Sequence, residues 1–197
     1  MDNPELENTA PEGSSEPEEE KKPVSARGEI YDWLQCIVTA LLVCVLVFVF
    51  LVRMIGVIGS SMVDTLHEGD RIIISNLFYT PKQGDIVVLR KESLREDAIV
   101  KRVIAVEGQT VDIDFENGIV YVDGEALDEP YIYEPTLTAE DFDGEVTVPE
   151  GCVFCMGDNR NGSTDSRDSR VGMIDTREIL GRVILRVFPF NVFGFVN

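Results

Sequence analysis

The chain has 197 residues, 44% of them hydrophobic, and a formal net charge of −19. That length accommodates one domain of ordinary size plus an extension. The charge excludes nucleic acid as a partner, because phosphate binding needs a basic face, and it points to an acidic, solvated surface.

Residues 1–28 are rich in Glu, Pro, Ser and Asn and hold almost no large apolar residue. Such a segment cannot bury enough surface to offset its chain entropy, so it is predicted to be a disordered acidic tail. Residues 29–53 contain the uncharged run Trp33–Val52, interrupted only by polar Gln35 and Thr39. As a helix this run would span about 30 Å, the thickness of a bilayer's hydrocarbon core. A cleaved secretory signal would have a shorter apolar region followed by a small-residue cleavage site. Neither is present, so the run reads as a retained transmembrane anchor. Lys21, Lys22 and Arg27 precede it and only Arg53 follows closely. That bias places the N-terminus in the cytoplasm and residues 54–197 on the extracytoplasmic side of the cell membrane.

Residues 54–197 read as an all-β domain. Short β-branched runs recur at Arg71–Ser75, Ile86–Leu89, Ile99–Val106, Thr110–Ile113, Ile119–Val122, Val146–Val148, Val153–Met156 and Arg182–Val187. Turn signals such as Glu68-Gly69-Asp70, Gln83-Gly84-Asp85 and Glu116-Asn117-Gly118 separate them. Residues 123–145, with Pro130, Pro135 and several acidic residues, look like a looser excursion from the sheet. A short helix is expected around Asp175–Leu180. The C-terminal run Val187–Val196 is uncharged and holds Phe188, Phe190, Phe193 and Phe195. It closes the fold or dips into the bilayer surface.

Cys36 and Cys44 lie inside the anchor, and Cys152 and Cys155 form a C-x-x-C. No second ligand pair accompanies it, since His67 is the only histidine. On a strand, a spacing of three points the two thiols to opposite faces, so both read as inert packing residues and no metal site is expected.

Two stretches carry chemistry. Gly59-Ser60-Ser61-Met62 is a small-residue turn just beyond the anchor, and it offers a hydroxyl. Val100-Lys101-Arg102 places an amine in an apolar strand. A lysine desolvated there is shifted toward its neutral form and can act as a base. A hydroxyl is a weak nucleophile until such a base removes its proton. His67 lies in a charged turn and reads as an exposed loop residue. On the strand, Lys101 shares a face with Ile99 and Val103.

Four blocks in order give these residues a family context. Gly59-Ser60-Ser61-Met62-Val63-Asp64-Thr65-Leu66, Gly84-Asp85-Ile86-Val87-Val88, Lys101-Arg102-Val103-Ile104 and the stretch from Gly157-Asp158-Asn159-Arg160 to Ser163-Thr164-Asp165-Ser166-Arg167 resemble the conserved blocks of the type I signal peptidases. These are membrane-anchored Ser–Lys endopeptidases that remove signal peptides from exported preproteins. The resemblance implies Ser61 as nucleophile and Lys101 as general base. It further implies Ser163 as the residue that orients the lysine, with Asp158, Arg160, Asp165, Arg167 and Arg102 as a supporting network. The oxyanion would be held by the Ser61 backbone N–H. Where some members add a hydroxyl this chain has Gly59, which leaves the second donor open between Gly59 and Ser60. Met62, Leu66, Ile99 and Val100, with Ile55, Val57, Ile72 and Val88, would line pockets for the small residues at −1 and −3 of a signal peptide. The peptide would pair edge-on with Val57 and Ala98–Val100.

The same resemblance implies no cofactor, and as partners the signal peptides, the lipid bilayer and the neighbourhood of the secretion translocon. One departure is Asp64, where the family has proline. It motivates an alternative: a catalytically impaired, anchored homologue that binds exported peptides or acts as a scaffold. A Ser–Lys self-cleaving repressor would share the dyad, but the anchor and the acidic tail exclude it.

Overall fold

The structure, a computed structural model, describes residues 26–50, 53–91 and 98–196. The tail predicted to be disordered lies outside the described residues up to residue 25, as do Leu51 and Val52 at the end of the apolar run. The chain divides into two compact units, Met1–Leu42 and Val43–Asn197.

Helix α1 runs Ala26–Phe50, so the first helical turn takes up the last residues assigned to the tail. Its 25 residues are about 37 Å long at a rise of 1.5 Å each. The window Gly28–Val45 has a mean hydropathy of 1.4, and none of it is buried within the protein. Trp33, Leu34, Ile37 and Leu41 all face outward. A helix this long and apolar, with no protein face to cover it, is suited to cross a bilayer.

The β-rich unit holds two sheets. The strands are β1 (Arg53–Gly56), β2 (Arg71–Ser75), β3 (Ile86–Leu89), β4 (Ile99–Val106), β5 (Thr110–Asp114), β6 (Ile119–Val122), β7 (Glu125–Ala126), β8 (Val146–Thr147), β9 (Cys152–Met156), β10 (Ile174–Asp175), β11 (Ile179–Phe188) and β12 (Gly194–Phe195). The larger sheet is ordered β1-β2-β11-β3-β4-β9-β10, with β12 on β11. The smaller is ordered β7-β6-β5-β8. All the pairings are antiparallel.

The burial of these strands follows from their sequences. Ile86–Leu89 is apolar at every position and is buried on both faces. Strand β5 alternates, burying Val111 and Ile113 while Asp112 points outward. Between the sheets Phe154 packs edge-on against Phe142 with centroids 5.8 Å apart, and Phe142 packs likewise on Phe115 at 6.0 Å.

Two expectations need refinement. The short helix expected around Asp175–Leu180 is present but briefer. Thr176–Glu178 forms a single 3₁₀ turn with a capping box between Asp175 and Glu178, and β11 begins at Ile179. The acidic cap and Glu178 look like a helix start, but the β-branched residues that follow pair with β3 and β2 instead. The segment 123–145 is also better tied than its composition suggests. Thr136 is fully buried there, and Tyr133 N–H donates to the Asp158 carbonyl at 3.1 Å. Cys152 packs in one apolar cluster and Cys155 in another, as opposite faces require. Burial pushes the Cys155 thiol far above its ordinary range, so it stays protonated and inert.

Candidate active site

The turn joining β1 to β2 is closed by two backbone bonds, Val57 N–H to Asp70 O at 2.8 Å and Gly69 N–H to Val57 O at 3.0 Å. Within it Leu66 N–H bonds the Met62 carbonyl at 2.8 Å, forming one helical turn. Met62 and Leu66 are both buried, so two apolar anchors flank the polar Ser60-Ser61 tip. Ser61 is half-buried, while Ser60, Asp64 and His67 face solvent.

Lys101 lies in the middle of β4, opposite Val87 of β3, and is only 3% exposed. Its Nζ donates to Ser61 Oγ at 2.9 Å across 40 residues of sequence. The structure thus brings together the two groups that the sequence offered as base and nucleophile.

The loop after β9 packs against both. Gly157 faces Ser61 so closely that a Cβ there would lie 2.5 Å from the Ser61 carbonyl oxygen and 2.3 Å from Ser163 Oγ. Neither contact is physically possible, so only glycine fits. Gly157→Ala should therefore abolish activity by pushing the Ser61 turn away from Lys101; a Gly157→Ala protein with unchanged turnover would refute this. Ser163 is 5% exposed, and its hydroxyl has no hydrogen-bond partner among the described residues. The hydroxyl packs against Gly157, and the bond to Lys101 that the resemblance implied is not formed here.

The supporting charges form separate pairs. Asp165 does hold Arg167, with both side chains fully buried. Asp158, however, takes two bonds from Arg102, Nε to Oδ1 at 2.9 Å and an NH2 bond to Oδ2 at 2.8 Å. Thr65 Oγ1 donates to the same carboxylate at 2.5 Å. Arg102 also donates to the Gly84 carbonyl at 2.9 Å and stacks on Tyr131, its guanidinium carbon 3.8 Å from the ring centroid. All four sequence blocks therefore meet at one buried pair. Arg160, itself buried, donates to the Gly157 carbonyl and to Glu129 and Thr136. Thr65, Glu129, Tyr131 and Thr136 were not singled out in sequence, since nothing local marks them. Burial in this cluster, aided by the charge of Glu129, pushes the Tyr131 phenol up to about 12. A second Asp-Ser-Arg run, Asp168-Ser169-Arg170, follows directly; its Arg170 is largely exposed and pairs with Asp168, while Ser169 bonds the Asp141 carboxylate.

Of the residues proposed to line substrate pockets, Val57, Met62, Leu66, Ile72, Val88, Val100 and Ile55 share one apolar cluster. Ile99 packs with the other face of the sheet, beside Val87 and Val103. The difference follows from strand alternation, which turns Ile99 and Val100 to opposite sides. Gly59 has φ +82°, a backbone conformation that side-chain-bearing residues rarely adopt, and it contributes no hydroxyl. Among the described residues no cluster of His, Cys, Asp and Glu could hold a metal ion.

A two-sheet β domain with a serine hydroxyl against a buried amine, preceded by an apolar helix, has the design of a β-sheet peptidase. The family model described as signal peptidase, peptidase S26, matches residues 30–188, and the chain belongs to that family. A Synechocystis sp. protein named "Probable signal peptidase I-1" is 38% identical over 171 residues, covering 80% of this chain and 82% of the relative. Signal peptidase I of Bacillus licheniformis is 35% identical over 183 residues, covering 87% and 96%. Signal peptidase I T of Bacillus subtilis is 37% identical over 171 residues, covering 81% and 86%. Among solved structures, a signal peptidase I from Enterococcus faecalis aligns with a TM-score of 0.42 and 25% identity, covering 53% of this chain and 97% of that one.

Proposed function

We propose that this protein is a membrane-anchored serine endopeptidase that removes signal peptides from exported preproteins, with Ser61 as nucleophile and Lys101 as general base. The observation that carries the reading is the 2.9 Å contact between Ser61 Oγ and the Nζ of a lysine 3% exposed. Burial among apolar groups favours the uncharged amine, whose lone pair can accept the proton of a hydroxyl this close. Lys101 takes the Ser61 proton as Oγ attacks the scissile carbonyl, and returns it to the leaving amine. The acyl-enzyme that forms is cleared by water activated in the same way. The Ser61 backbone N–H holds the oxyanion. The apolar cluster under Met62 and Val100 shapes the walls against which small residues at −1 and −3 of the peptide rest, and the domain works outside the cytoplasm near the secretion translocon.

The test is cleavage of a purified preprotein by the full-length protein in detergent, with the new N-terminus read by mass spectrometry. A shortened product beginning after the signal peptide is expected. Binding of the precursor without cleavage would assign the chain instead to a peptide-binding homologue.

Membrane contact beyond α1 belongs to the same reading. Phe190 is 80%, Phe193 59% and Phe195 79% exposed, on a C-terminal run that carries no charge. Such a patch on an anchored domain is suited to the bilayer surface. In full-length protein carrying Trp33→Phe and Phe193→Trp, brominated lipids should quench the new tryptophan. Unquenched fluorescence would return the segment to solvent.

A further inference from the structure

The loop after β9 does more to the Ser61 turn than supply neighbours. Asn159 bonds two successive carbonyls of that turn. Its backbone N–H donates to the Ser61 carbonyl at 3.0 Å, and its side-chain Nδ2 donates to the Ser60 carbonyl at 3.1 Å. The Ser60 carbonyl and the Ser61 N–H belong to the same peptide unit. In a trans peptide these two groups point in opposite directions, so the direction of one sets the direction of the other. The Ser60–Ser61 peptide is not among the cis bonds of the chain.

We propose that Asn159 is a positioning residue for the oxyanion donor: by holding the Ser60 carbonyl, its side chain aims the Ser61 N–H at the developing oxyanion. The inference rests on the proposed Ser61 chemistry and deepens it. Two observations make the side chain's placement more than incidental. Among the described residues the Ser60 carbonyl accepts one further bond, 3.2 Å from Val63 N–H, which closes the turn from within, whereas Asn159 ties the same carbonyl to the loop after β9. The Asn159 amide is itself wedged by Gly162, where a Cβ would lie 2.7 Å from Nδ2 and 2.9 Å from Oδ1. Gly59 cannot add a side-chain donor, so orientation of the Ser61 N–H matters more here than where a second hydroxyl shares the charge.

A device that acts only on the oxyanion strengthens transition-state binding and leaves ground-state binding alone. Removing a direct oxyanion donor costs about 100-fold or more in turnover, so loosening its anchor should cost about tenfold. In Asn159→Ala, kcat on a signal-peptide substrate should fall about tenfold with KM changed less than about twofold. The midpoint of the pH–rate profile should stay in place, because Lys101 is untouched. A peptide aldehyde, whose serine adduct carries the same oxygen, should inhibit more weakly by the same factor. Asn159→Asp keeps the side chain's shape but replaces the donor with an acceptor, and should lose at least as much turnover; it serves if the alanine variant folds poorly. Unchanged kcat in either folded variant, or a loss confined to KM, would overturn the proposal. Ser61→Ala is the reference: if it still cleaves, the nucleophile assignment fails, whereas an inert Ser61→Ala beside a fully active Asn159→Ala removes only this inference.

Discussion

Ser61→Ala and Lys101→Ala should each lower precursor cleavage on the order of 10⁴-fold or more while leaving the melting temperature near that of the parent protein. Each side chain makes one half of the 2.9 Å contact. Because the two act as one unit, the double variant should be no worse than either single one. Lys101→Arg separates a base from a mere positive charge. The guanidinium stays protonated at any working pH, so it can fill the space and still not accept the serine proton. His67→Ala should cleave at the parental rate, since His67 faces solvent and its backbone N–H donates to the Asp70 carboxylate at 3.0 Å. An active Lys101→Arg, or an inactive His67→Ala, would remove Lys101 from the mechanism.

The second large effect concerns stability. Asp158→Ala should lower the melting temperature on the order of 10 °C, because it leaves the Arg102 guanidinium buried without its carboxylate. The pair is 2.8 Å apart, with side chains 2% and 0% exposed. Breaking a buried pair from one side destabilises by about 3–5 kcal/mol, most of it the uncompensated charge rather than the lost attraction. The same carboxylate accepts from Thr65, four residues beyond Ser61, so activity should fall as well. Replacing both partners, as Asp158→Leu with Arg102→Met, should recover part of the stability but none of the activity. Differential scanning calorimetry of the two variants decides it: a single Asp158→Ala variant as stable as the parent would mean that the pair contributes nothing to the fold.

What the linear sequence determined was everything that rests on local period and composition. The uncharged apolar run marked α1, whose hydropathy needs no neighbour to be read. β-Branched runs bounded by turn residues marked Ile86–Leu89, Ile99–Val106 and Ile119–Val122 at the residues where the strands lie. Four blocks in order placed the chain in its family, because each block is contiguous. The short strands β7, β10 and β12 carry only two residues each, too few for any period to show. Only the tertiary structure decided the partners of the charges. Asp158 meets Arg102 across 56 residues and Arg160 meets Glu129 across 31, and the excursion that brings Glu129 and Tyr131 inward has no periodic pattern of its own. In the sequence these are charged residues in polar segments, indistinguishable from a solvated surface. Burial makes them a site, and burial depends on how the loop after β9, the excursion and the Ser61 turn pack around β4.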